Sequence, residues 1–118
     1  LLADDENVVL EVTGSMLEKA GFQVVKARDG RDAVKKFTAL KDEIDCVILD
    51  LTMPHMNGET AFKKIHKIAP DIPVIMSSGY TESDVRHRFL GREMAGFIEK
   101  PYQMAQLMAV LSKALERQ

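Results

Sequence analysis

The sequence predicts an α/β fold: one doubly wound (βα)5 domain with a five-stranded parallel sheet and helices on both faces. Three observations carry this. Short apolar runs of strand character alternate with segments of helical periodicity along all 118 residues. No repeat, low-complexity stretch or Pro/Gly/Ser-rich linker divides the chain, so residues 1–118 read as a single domain. The run Asp45–Leu49 is apolar at nearly every position, as expected of a strand covered on both faces.

Taken in order, Leu1–Ala3 is a short first strand that lacks a residue or two at its start. With no initiator methionine, it suggests a piece cut from a longer chain. Glu6–Ala20 spaces Val9, Val12 and Met16 as a helical stripe, and Gly21 ends it. Phe22–Ala27 is the second strand. Asp29-Gly30 then turns the chain into a helix with Ala33, Val34, Phe37 and Leu40 inward. Asp45–Leu49 is the third strand, and Leu51–Gly58 is a loop containing Pro54 and Asn57-Gly58.

A third helix follows through Ala61, Phe62, Ile65 and Ile68 and stops before Pro70; Pro73–Ser77 is the fourth strand. Thr81–Asp84 has capping-box spacing and opens a more polar helix with Val85 and Phe89. Gly96–Glu99 is the fifth strand. The last helix, Met104–Glu116, aligns Leu107, Val110, Leu111, Ala114 and Leu115. Right-handed crossovers favour the flavodoxin-like strand order 2-1-3-4-5.

Composition narrows the function classes. Charged residues of both signs alternate to a net charge of -2, with no basic stripe for direct nucleic-acid binding. The longest apolar run is far short of the roughly 20 residues of a membrane span. The single cysteine, Cys46, excludes an intrachain disulfide and reads as a buried, inert thiol compatible with the cytoplasm.

In an open parallel sheet, ligands bind at the carboxyl ends of the strands, near the point where strand order reverses. Those ends carry Asp4-Asp5, Asp50, Ser77-Ser78 and Lys100-Pro101. Singly each has a plainer explanation: Asp4 and Asp5 as helix caps, Asp50 as a turn residue, Ser78 and Lys100 as solvated strand ends. Together they place three carboxylates, a hydroxyl and an ammonium on one rim. Crowded carboxylates repel, and a hard divalent cation relieves that repulsion; magnesium suits carboxylates, waters and phosphate oxygens. His55, His66 and His87 have no metal-cluster spacing. A metal, a lysine and a hydroxyl around a carboxylate are the parts needed to transfer a phosphoryl group onto it. Asp50, on the central strand before a permissive loop, is the best nucleophile.

Asp4-Asp5-Glu6, the run from Asp50 through Met53-Pro54 to Gly58, Ser78 and Lys100-Pro101 resemble the receiver domain of two-component response regulators along essentially the whole chain. The resemblance implies that Asp50 is the phosphoacceptor. Magnesium, for which manganese can substitute, would be held by Asp5, Asp50 and the Thr52 carbonyl, with Asp4 in support. Lys100 would contact the phosphoryl group, Ser78 would be the switch hydroxyl and Phe97 the switch aromatic. The Lys100-Pro101 bond is often cis in that family.

The implied donor is a phosphohistidine on a histidine kinase or a histidine phosphotransfer domain. The implied activity is self-phosphorylation with slow self-dephosphorylation rather than turnover. Phosphorylation would rearrange the face of the fourth helix, fifth strand and last helix, where Tyr102, Met104 and Met108 fall; a homodimer through that face is compatible with this. Ser78-Gly79-Tyr80 resembles receivers at the C-terminus of hybrid sensor kinases, which would be the cytoplasmic part of a membrane-bound protein. A free-standing or DNA-binding regulator is the alternative. A haloacid dehalogenase-type phosphatase would need an aspartate where Thr52 stands. A flavin-binding protein would need a hydroxyl- and glycine-rich loop in place of Asp4-Asp5.

Overall fold

The computed structural model describes residues 1–79, 95–100 and 102–116. It contains β1 (Leu2–Ala3), α1 (Asn7–Lys19), β2 (Lys26–Ala27), α2 (Gly30–Leu40), β3 (Val47–Asp50), α3 (Gly58–Ile68), β4 (Val74–Ser78), β5 (Gly96–Glu99) and a C-terminal helix (Met104–Glu116). The helix expected from Thr81, with Val85 and Phe89, lies outside the described residues, as do Tyr80, His87 and Pro101. All strand pairs are parallel, in the order β2-β1-β3-β4-β5 that the crossover rule favours.

Alternate residues of each strand feed two cores. Val47, Leu49, Val74 and Met76 meet Ala33 and Phe37 of α2 and Ala61, Phe62 and Ile65 of α3. Leu2, Ile48, Ile75 and Ile98 meet Leu10 and Leu17 of α1 and Leu107, Leu111 and Ala114 of the C-terminal helix. Described helices thus pack on both faces of the sheet. No helix among the described residues is long and apolar enough to cross a membrane.

Several expectations need correction. The inward face of α1 is Leu10, Thr13, Gly14 and Leu17, whereas Val12 is 52% exposed. Small and hydroxyl-bearing residues occupy that face where the chain passes β2: a Cβ on Gly14 would lie 2.8 Å from Cε of Lys26. Ladder pairing reduces β2 to Lys26–Ala27, and β3 and β4 each begin later than expected, at Val47 and Val74. Ile68, in the last turn of α3, is exposed rather than inward. Cys46 precedes β3 and is half-buried, with its thiol pushed up to about 11 by burial.

Candidate functional site

The sheet register brings the polar strand ends together. Asp50 closes β3 opposite Ser77 of β4, and Ser78 stands opposite Glu99 of β5, so Lys100 leaves the sheet one step further on. The backbone N–H of Lys100 donates to the Ser78 carbonyl at 2.8 Å, and that of Leu51 donates to the Ser77 carbonyl at 2.8 Å. These bonds hold the two exits from the sheet side by side.

One atom of each carboxylate of Asp4, Asp5 and Asp50 falls within a 4.8 Å cluster, with Asp4 and Asp50 buried and Asp5 exposed. Neither Asp4 nor Asp5 is the N-cap of α1; that position is Glu6, which has no side-chain cap bond. Asp4 Oδ1 instead accepts from the Glu6 N–H at 3.0 Å. Lys100 Nζ lies 2.7 Å from Asp4 Oδ2, 3.1 Å from Asp50 Oδ2 and 3.9 Å from Glu6 Oε1. Asp4 Oδ2 is fully buried and makes no contact of hydrogen-bond geometry; the ammonium is its ion-pair partner.

One cation cannot neutralise this many anions, and the proton affinities reflect it. Burial, with Asp4 adding to it, pushes Asp50 up to about 6 against the pull of Lys100 and the Thr52 N–H. Burial alone would lower Lys100, but the carboxylates of Asp4 and Asp50 beside it outweigh that and hold the ammonium above its ordinary value. The residual negative charge and the acceptor capacity of Asp4 Oδ2 fit a hard divalent cation.

The loop after Asp50 is drawn tightly under the site. The Gly58 N–H returns to the Leu51 carbonyl at 2.9 Å, and the Gly30 N–H donates to the Met56 carbonyl at 3.0 Å. Asn57 Oδ1 caps α3 on the Thr60 N–H at 2.9 Å, and His55 turns the loop with a φ of 65°. A Cβ on Gly58 would lie 2.2 Å from the Asp50 carbonyl oxygen. The segment can therefore close beneath Asp50 only with glycine there.

Of the other expected residues, Thr52 is exposed beside Asp50, Ser78 is buried at the end of β4, and Phe97 is buried in the core on the α2–α3 side. His66 stacks on Phe62 at 5.6 Å, and His55 is exposed; neither joins the carboxylate cluster. The sequence carries no signal for a contact between Tyr102 and Ser77. The Tyr102 hydroxyl donates to Ser77 Oγ at 2.6 Å, and burial raises it to about 12.

The sequence pattern of the response regulator receiver domain matches residues 1–112. The chain belongs to that family. The receiver is 33% identical over 118 residues to the sensor kinase CckA of Brucella abortus, covering 100% of this chain but only 12% of the kinase. It is 34% identical over 114 residues to the chemotaxis protein CheY of Thermotoga maritima, covering 96% of this chain and 93% of CheY. A crystal structure of a response regulator receiver domain protein from Clostridium thermocellum superposes on this receiver with a TM-score of 0.91. It shares 28% identity, covering 98% of this chain and 92% of that one. Receivers of this kind occur both within large sensor kinases and nearly alone, and this one is a receiver domain of two-component signalling.

Proposed function

We propose that residues 1–118 act as one phosphoacceptor unit in which Asp50 takes a phosphoryl group from a phosphohistidine. The donor would be a histidine kinase or a histidine phosphotransfer domain, in the cytoplasm. The observation that carries this is the buried Asp50 carboxylate at the end of the central strand, 3.1 Å from the Lys100 ammonium and clustered with Asp4 and Asp5.

Asp5, Asp50 and the Thr52 carbonyl, with Asp4 in support, are the groups that would hold magnesium or manganese. When bound, the ion neutralises charge on the phosphoryl oxygens. A carboxylate oxygen of Asp50 forms the new O–P bond as the P–N bond of the phosphohistidine breaks, its electron pair staying on the imidazole nitrogen. Lys100 faces the charge that spreads over the equatorial oxygens. Its attachment to Asp4 and Asp50 places it before the reaction begins. The new dianion then draws the Ser78 hydroxyl, Phe97 follows, and the surface presented by β5 and the C-terminal helix changes. The Ser78-Gly79 pairing and the match to a segment of CckA favour a receiver within a hybrid histidine kinase.

The test is intact-protein mass after incubation with acetyl phosphate and magnesium, beside Asp50→Asn. One phosphoryl adduct, absent from the variant and from chelated wild type, is the expected result. An adduct of equal size on Asp50→Asn would move the acceptor elsewhere. Absence of any adduct together with no beryllofluoride binding would remove the phosphoacceptor reading.

A further inference from the structure

Lys100 must reach two buried carboxylates from a segment that leaves the sheet immediately after β5. Its backbone is tied to β4 by one bond, to the Ser78 carbonyl. Two residues later, Tyr102 reaches back across the same strand, and its hydroxyl donates to Ser77 Oγ at 2.6 Å. Ser77 is fully buried, stands in register with Asp50, and accepts from the Leu51 N–H through its carbonyl. Ser77 thus links Tyr102, two residues after the lysine, to the strand end that carries Asp50. The Tyr102 ring packs against the core formed with α1 and the C-terminal helix, so the hydroxyl is aimed by apolar packing.

We propose that Tyr102 is a positioning residue. Its bond to Ser77 holds residue 102 against β4 and so keeps the nearby ammonium of Lys100 between Asp4 and Asp50. The role deepens the phosphoacceptor reading and rests on it for its consequence in phosphoryl transfer, but not for the geometry of the tether. Tyr102→Phe removes one oxygen and keeps the packed ring; Ser77→Ala removes the acceptor from the other side.

Two readouts are made on the same proteins, together with their unfolding midpoints. The first is pulse acetylation of lysines with acetic anhydride in magnesium-free buffer, read peptide by peptide. Lys100 is expected to react about fivefold faster in Tyr102→Phe and in Ser77→Ala, equally in the two and no faster in the double variant. Lys63 and Lys113, remote in sequence from the tether, are expected to react as in wild type. The second is the rate of adduct formation from acetyl phosphate, expected to fall about five- to tenfold in each single variant. In a Lys100→Ala background, Tyr102→Phe is expected to leave the residual rate unchanged.

Unchanged Lys100 acetylation in Tyr102→Phe overturns the proposal, as does a rate loss that persists undiminished without Lys100. A wild type that forms no adduct removes the phosphoacceptor reading, while the acetylation pattern still decides the tether.

Discussion

The two ends of the sheet bury different titratable groups at different cost. At the end where the strands begin, Leu2, Ile48 and Leu111 share the lining of a cavity of about 540 Å³ with Gln23, Glu43 and Asp45. At the end where they finish, Asp4 and Asp50 are buried beside Lys100. Each end holds a titratable group that burial pushes upward: Cys46 to about 11 at the first, Asp50 to about 6 at the second. The thiol already sits far above neutral pH and stays uncharged, so its burial costs little. The carboxylate must ionise near pH 6, against both the low dielectric and Asp4. Of these two groups, the one with the larger electrostatic cost near neutral pH thus lies at the rim where the chemistry is proposed to occur.

The sharpest way to break this contrast is steric. Gly58→Ala would set a methyl group 2.2 Å from the Asp50 carbonyl oxygen, a backbone atom that cannot swing aside. Loss of roughly 3 kcal/mol or more is expected, read by urea unfolding, together with loss of magnesium binding as the loop lifts. A variant with wild-type stability would show that the loop closes under Asp50 by another route.

Next in size is the cation itself. If the rim's excess charge is its main cost, magnesium at a hundredfold excess over its dissociation constant should stabilise the protein by about 2.7 kcal/mol. EDTA in excess over the magnesium should reverse the whole gain. Asp5→Asn should lose most of the gain although Asp5 is exposed, since its carboxylate belongs to the cluster. Equal stabilisation of wild type and Asp5→Asn would place the ion elsewhere.

Asp50→Asn should stabilise the metal-free protein by about 1–2 kcal/mol at pH 8, because it removes a buried charge that one shared lysine offsets incompletely. The sign follows from the direction of the shift. The folded state holds the Asp50 proton more tightly than the unfolded chain, with its affinity moved from 3.8 to about 6. Below that window both states are protonated and no penalty exists; above it the penalty is complete. The advantage of the variant should thus grow from pH 4 to pH 6 and then level off. Thermal melts in EDTA across that range check it, and a difference independent of pH would assign the gain to packing.

The same contrast explains what was legible in the sequence. In a parallel sheet, chain order alone assigns strand ends to one rim, so Asp4, Asp5, Asp50, Ser78 and Lys100 could be placed together without coordinates. The inward face of α1 was harder to find, because Thr13 and Gly14 fill it while Val8 and Val12 face solvent at 73% and 52% exposure. Periodicity follows hydrophobicity, and here the choice at the contact was made by size. Strand bounds slipped for a similar reason: Phe22–Val25 has strand composition, but ladder pairing defines only Lys26–Ala27. The bond from Tyr102 to Ser77 joins residues 25 apart and leaves no local pattern at either. Gly58 reads as an ordinary turn glycine until the Asp50 carbonyl is seen above it.

Cys46 supplies the smallest effect and the cleanest control for the opposite end. Its thiol lies about three units above pH 8, so roughly one molecule in a thousand carries the reactive thiolate there. Iodoacetamide at pH 8 should therefore modify native protein far more slowly than urea-unfolded protein. Here too the folded state holds its proton more tightly, so stability tied to this group is present below about pH 9 and falls as pH rises through 11. Cys46→Ala should remove that alkaline loss while changing stability at pH 7 by less than about 1 kcal/mol, since only a half-buried sulfur is lost. Magnesium affinity and the pH 4–6 behaviour of Asp50 should not move, because Cys46 lies just before β3 and Asp50 at its far end. A shift in either would mean that the two ends communicate through the central strand, and they could no longer be treated as independent.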